Sequence, residues 1–132
     1  MLRHTRQPRD AEINAGHVVN TVPPVWFEDA RFGLYAPIQE LSGPDALFGI
    51  VRKASYDYQR ELLPGAPVTI LTGITRLGNS SAVFYQEAWQ HDQRAVSAET
   101  VILLMDGRQR RKMDFSPASR RYLEQLLMVD AR

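Results

Sequence analysis

His17 is the only histidine with a plausible site role. Glu12 and Asn14 precede it, Asn20 follows it, and Glu28 lies one segment further on. An imidazole ordinarily titrates near neutrality, so His17 suits a general base or a donor to a carbonyl oxygen. Its other reading is a structural histidine that fixes the loop. Glu28 falls in an apolar segment, where a carboxylate is expensive unless paired. It is a base with a raised pKa, an ion-pair partner of Arg31, three residues on, or a residue that bonds backbone groups across a dimer. Asn20 reads as a helix cap that also shapes whatever site lies at the helix start. The chain has no cysteine, which removes thiolate nucleophiles, thiolate metal sites and disulfides together.

These residues need a scaffold, and 132 residues supply one domain over 1–132. Hydrophobic residues make up 44% of the chain, enough for an ordinary core. The net charge is +1, so no long-range field draws the protein to nucleic acid or to a membrane. The N-terminal MLRHTRQPRD lacks the apolar stretch of a signal peptide, and no run approaches the ~18 apolar residues of a membrane span. The expectation is a soluble cytoplasmic protein.

The element order is informative. Arg3 to Arg9 reads as an edge strand restricted by Pro8, followed by a loop through Asn14, Ala15 and Gly16. Asn20-Thr21-Val22-Pro23-Pro24 reads as a helix start, with Asn20 or Thr21 capping. The helix is expected from about Pro23 to Tyr35, stopping before Pro37. Val22, Val25, Trp26, Phe27, Ala30, Phe32, Leu34 and Tyr35 point in nearly every direction around it, which predicts burial on most of its circumference. Strands are expected over Leu47–Tyr58, Val68–Leu77, Ser81–Gln90, Ala95–Met105 and Gln109–Phe115, with turns at Gly78-Asn79, His91-Asp92-Gln93 and Asp106-Gly107. A last helix starts at Ser116-Pro117. The fold class is α+β: a curved antiparallel sheet wrapped around one central helix. The sheet's open edge predicts at least a homodimer, with a tetramer as an extension.

Two motifs add a resemblance. Gly16-His17-Val18-Val19-Asn20 and Trp26-Phe27-Glu28-Asp29-Ala30-Arg31 resemble the signature of 4-hydroxybenzoyl-CoA-type hotdog thioesterases. Downstream, Asp57-Tyr58-x-Arg60, Pro64-Gly65-x-Pro67-Val68 and Arg76-Leu77-Gly78-Asn79-Ser80-Ser81 fit the family's strand and turn pattern, so the likeness covers nearly the whole chain. It implies a hotdog fold and acyl-CoA hydrolysis without cofactor or metal. It also implies that backbone N–H groups near Asn20 polarise the thioester carbonyl, while an upstream carboxylate acts as nucleophile or base.

The sequence departs from the pattern at that carboxylate. The family has Asp-x-Asp before Gly-His. Ungapped, the second aspartate falls on Ile13. With one residue deleted it falls on Asn14, which orients a water or a carbonyl but takes no proton at neutral pH. Glu12 and Glu28 are the nearby carboxylates that can substitute. The catalytic candidates are therefore Asn14, His17, Glu28 and Glu12. The candidates for binding substrate are Asn20, Tyr58, Arg60, Ser80 and Ser81. Tyr58 and Arg60, with Asp57, lie where family members line the acyl or pantetheine channel. Arg108, Arg110, Arg111 and Lys112 read as a solvated hairpin or as a grip on CoA phosphates. Two alternatives stay open: an acyl-CoA binder without turnover, and an enoyl-CoA hydratase or dehydratase. The second is disfavoured because Glu12, not aspartate, lies five residues before His17.

Overall fold

The structure is a computed structural model, and it describes residues 1–128. Strand β1 (Leu2–Arg6) leads into a single 3-10 turn at Asp10–Glu12, then a miniature hairpin of β2 (Ile13–Asn14) and β3 (His17–Val18). Helix α1 spans Val22–Ser42. Strands β4 (Ala46–Tyr58), β5 (Val68–Leu77), β6 (Ser81–Gln90) and β7 (Gln93–Asp106) follow, then the short β8 (Arg111–Lys112) and helix α2 (Pro117–Glu124). The main sheet has six strands in the order β1-β5-β6-β7-β4, with β8 on the end of β7. All its pairings are antiparallel.

The sheet curls around α1, as the sequence implies. Alternation sends Val68, Ile70 and Ile74 of β5 toward the helix, beside Phe84 and Ala88 of β6 and Val96, Ala98, Ile102 and Leu104 of β7. Trp26, Phe27 and Ile38 of α1 meet them and are wholly buried. The core falls into two apolar clusters, one around Trp26 and Phe27 and one around Tyr35 and Ile38. A polar layer separates them. Arg31, Thr72, Gln86 and Thr100 are all buried, each one step along its element from both clusters. Arg31 donates to Tyr35 Oη (2.8 Å) and Gln86 Oε1 (2.9 Å). Gln86 Nε2 in turn donates to Phe27 O (2.9 Å) and Thr72 Oγ1 (3.0 Å). Slipping β6 by one residue would turn Gln86 outward and break the whole layer, so it fixes helix against sheet.

Four expectations are corrected. The helix does not stop before Pro37 but runs on to Ser42, with Pro37 inside it. Tertiary contacts override the lost hydrogen bond: Ile38 is fully buried, and Gln39 Oε1 accepts from Phe48 N–H (3.0 Å). Nor is α1 covered all round. The sheet wraps one side only, leaving Val25 and Phe32 54% and 53% exposed. Glu28 does not pair with Arg31, which points into the core while Glu28 faces outward. The strand expected over Gln109–Phe115 shrinks to Arg111–Lys112, because Asp106 Oδ1 accepts from Arg108 and Gln109 N–H and turns that stretch.

One glycine is required by a close approach. Gly49 sits at a bulge in β4 with φ +120°, and a Cβ there would lie 2.9 Å from the Tyr35 ring. Its absence lets Tyr35 pack edge-on against Phe48 at 5.1 Å between centroids.

Candidate functional site at the start of helix α1

The stretch read as a loop at Asn14-Ala15-Gly16 is a tight β-hairpin. Ala15 (φ +54°) and Gly16 (φ +83°) both take left-handed backbone, the pattern of a two-residue type I′ connection. Asn14 therefore stands directly opposite His17. Such partners hold their Cβ atoms about 5 Å apart. His17 Nδ1 lies 2.9 Å from Val18 O. A carbonyl accepts only from N–H, so this contact places a proton on Nδ1, and in the neutral ring the lone pair is then on Nε2.

Beyond the hairpin, the chain is pinned before it enters α1. Val18 N–H donates to Leu62 O (2.8 Å), Val19 N–H to Glu12 O (2.9 Å), and Val22 N–H to Val19 O (2.9 Å). The last bond closes a four-residue turn over Val19–Val22. Thr21, at φ −83° and ψ −9°, has the geometry of the third residue of a type I turn.

Neither expected cap acts as one. Thr21 is the N-cap and its side chain makes no capping bond. The reason is in the sequence: Pro23 and Pro24 have no N–H, and that of Val22 is already bonded. Among the described residues, the N–H groups of Asn20 and Thr21 find no acceptor. The helix thus presents its spare donors from the turn just ahead of it.

That turn borders a cleft of about 520 Å³ lined by His17, Val18, Asn20, Pro23, Tyr58, Gln59, Arg60, Glu61, Leu62 and Val96. Four sequence-derived candidates, His17, Asn20, Tyr58 and Arg60, meet there. Tyr58 is 48% exposed, and its hydroxyl donates to Asn20 O (2.7 Å). Burial and then the neighbouring Tyr56 raise the Tyr58 phenol above its ordinary pKa.

The other candidates lie elsewhere. Glu12 is buried. It accepts from Trp26 Nε1 (3.0 Å), from Arg9 N–H (2.9 Å) and from the Arg9 guanidinium (3.2 Å). Burial pushes its carboxyl up, but these bonds outweigh burial and hold its pKa below the ordinary value. It is an anchored anion rather than a ready proton acceptor. Glu28 is exposed and makes no hydrogen bond or ion pair among the described residues. Asp57 is exposed, pairs with Ser97 of β7, and does not line the cleft. Ser80 and Ser81 sit at the opposite end of the sheet, where the Ser81 carbonyl accepts from Gly78 N–H and closes the β5–β6 hairpin, and the Ser80 carbonyl accepts from Leu104 N–H of β7. The basic stretch Arg108–Lys112 is at that far end too. Pro23, Gln59, Glu61, Leu62 and Val96 line the cleft without having been singled out from the sequence. Among the described residues, no three His, Asp or Glu side chains form a metal-holding group.

A curled antiparallel sheet enclosing one long helix, with the chain's spare donors at that helix's start, defines the hotdog class. The family model of the thioesterase-like superfamily matches residues 8–123, and the chain belongs to that superfamily. A predicted thioesterase from Bacillus stearothermophilus is similar at 25% identity, over 96% of each chain, with a TM-score of 0.86. A thioesterase from Thermus thermophilus complexed with coenzyme A and Zn is 24% identical over 94% of this chain and 92% of that one (TM-score 0.80). A Staphylococcus aureus protein in complex with CoA is 14% identical over 96% and 85% (TM-score 0.81). None of the curated proteins matches. Membership and these neighbours support thioester hydrolysis as the general chemistry.

Proposed function

We propose that the protein is a cytoplasmic acyl-CoA thioesterase acting as a homodimer. The observation that carries this reading is the pair of N–H groups at Asn20, which lines the cleft that holds His17, and at the adjoining Thr21, both without an acceptor among the described residues. A thioester oxygen accepting from them becomes a better electrophile and a better-stabilised oxyanion. Asn14, opposite His17, orients a water. His17 Nε2 takes the water's proton as its oxygen bonds to the thioester carbon. The C–S bond then breaks, and the imidazolium returns the proton to the CoA thiolate. Histidine in this role offsets the missing aspartate at Ile13 and Asn14. Tyr58 and Arg60 bound the route of the pantetheine arm, and Arg60 adds a cation suited to the nucleotide's phosphates.

The dimer follows from exposed apolar surface beside an unpaired strand. β4 is one of the sheet's two edge strands, β1 being the other, and Val51 on β4 is 48% exposed, as are Val25 and Phe32 on α1 at similar levels. Antiparallel pairing of β4 with a second copy would bury all three. It would also bring the Ser80–Ser81 end of one copy toward the His17 end of the other, uniting candidates that one protomer keeps apart.

Thiol release from a panel of acyl-CoA esters tests the reading. Turnover of at least one ester, reduced ten- to a hundredfold by His17→Ala and less by Asn14→Ala, is expected. No release from any ester would overturn it. The anchoring of Glu12 supports a second reading, an acyl-CoA binder without turnover. That reading expects CoA esters to raise the melting temperature while no thiol appears.

A further inference from the structure

The connection between β4 and β5 passes the cleft with its backbone held on both sides of one residue. Gln59 and Arg60 N–H both donate to Ala95 O (2.8 and 3.1 Å), and Leu62 O accepts from Val18 N–H (2.8 Å). Gln90 then grips Leu63, accepting from its N–H (2.8 Å) and donating to its carbonyl (2.8 Å). The side chain of Leu62 is buried in the cluster of Trp26 and Phe27. Between these anchors stands Glu61. It is exposed, lines the cleft together with His17, and has no hydrogen bond or ion pair among the described residues. No other carboxylate is among the cleft's lining residues. Glu12 is tied to Arg9 and Trp26 instead. The bond from Val18 to Leu62 sets this loop directly beside β3, the strand that carries His17.

We propose that Glu61 is a catalytic residue, the second acceptor for the water that His17 deprotonates. The inference rests on the hydrolase reading. An attacking water has two protons and two lone pairs. One proton goes to His17 Nε2. An ionised carboxylate only accepts, so Glu61 takes a hydrogen bond from the other. The Asn14 amide donates to one lone pair, and the remaining lone pair faces the thioester carbon. Three contacts thus aim the water, which is worth most when the groups making them are themselves fixed. The bond to Glu61 is charge-assisted, roughly twice as strong as a neutral one, and leaves the water oxygen a better nucleophile. As that oxygen bonds to carbon the C–S bond breaks, and the proton on His17 passes to the CoA thiolate. The second proton leaves with the carboxylic acid product. Free CoA thiol and free acid balance the step.

A charge without a partner adds little to the fold, so its removal separates chemistry from stability. Glu61→Gln keeps the shape and loses the charge. Its melting temperature should stay within about 2 °C of wild type. On the ester turned over best, kcat should fall about tenfold with KM within about twofold, and Glu61→Ala should lose more. Formate added to Glu61→Ala supplies a free carboxylate to the open cleft and should restore part of kcat. The same formate should do nothing for His17→Ala, which lacks the base rather than the second acceptor.

The outcomes tell this assignment apart from the reading beneath it. A wild-type protein that releases no thiol from any ester overturns both together. An active wild type matched within twofold in kcat by Glu61→Gln overturns the role of Glu61 alone. So does a change confined to KM, which makes Glu61 a wall of the cleft, and so does formate without effect on Glu61→Ala.

Discussion

At its C-terminal end, α1 is closed by side chains from α2. Ser116 Oγ donates to Leu41 O (2.9 Å), and Ser119 Oγ lies within hydrogen-bond distance of both Ser42 Oγ (2.7 Å) and Ser116 Oγ (2.8 Å). Ser119 is fully buried. At its N-terminal end the reverse holds: no side chain caps the helix, and two N–H groups just ahead of it have no acceptor among the described residues. Helix termini carry unsatisfied groups by geometry, and a protein either fills them or keeps them available. In this chain the filled end serves cohesion, and the available end adjoins the cleft. The dipole adds to the contrast, since only the N-terminal end favours a developing negative charge.

The N-terminal end is open at its donors but firmly held behind them. Glu12 does the holding, bonded to Trp26 within the helix and to Arg9 before the hairpin. Among substitutions at the two ends of α1, Glu12→Gln should have the largest effect on stability. It puts an amide where Arg9 needs an anion, and should cost about 2 kcal/mol at neutral pH by denaturant titration. The pH dependence follows from the lowered pKa of Glu12. A carboxyl more acidic in the folded protein than in the unfolded chain stabilises the fold fully above the ordinary value of 4.5. That contribution fades as pH falls through the lower, folded-state value. The gap between wild type and Glu12→Gln should therefore narrow in acid. A gap that persists or widens there would show that packing, not charge, anchors this end.

Ser116→Ala tests the filled end. Ser116 caps α2, accepting from Ser119 N–H (3.1 Å), and also binds the last turn of α1. Its loss should cost about 1 kcal/mol and leave kcat on the best ester unchanged. A fall in kcat without a change in fold would place part of the proposed site at the wrong end of the helix.

How far these ends could be read in advance differs by element. β5 and β6 were legible to the residue, because alternation and the Gly78-Asn79 turn are local signals. The extension of α1 past Pro37 was not. It depends on Phe48 and on α2, which no window around Pro37 contains. Arg31 reads as an ion-pair partner for Glu28 because they are three apart; it bonds instead to Tyr35, four residues on, and to Gln86, 55 residues away. The gathering of His17, Asn20, Tyr58 and Arg60 in one cleft was legible through family motifs, whereas the bond from Tyr58 to Asn20 spans 38 residues and has no local trace. Local pattern thus gave the strands, and non-local contact decided what the candidate site's residues do. The missing caps on α1 are an exception: Pro23 and Pro24 stand in the sequence, and their lack of N–H already implied that Thr21 had little to cap.

The smallest expected effect is the sharpest test of the contrast. Thr21 and Ser116 are both N-caps, each followed by proline in the first helical turn. Removing a capping hydroxyl ordinarily costs about 1 kcal/mol, as expected for Ser116→Ala. Thr21→Ala should cost less than about 0.5 kcal/mol, the range of a surface change that breaks no bond. It keeps the backbone N–H, so kcat on the best ester should stay within a factor of two or three. The two alanine variants, compared by denaturant titration under one condition, need only differ in this order. Equal losses would mean that the Thr21 hydroxyl engages a donor in solution. The start of α1 would then be a satisfied terminus like that of α2, without the spare N–H groups on which the proposed chemistry depends.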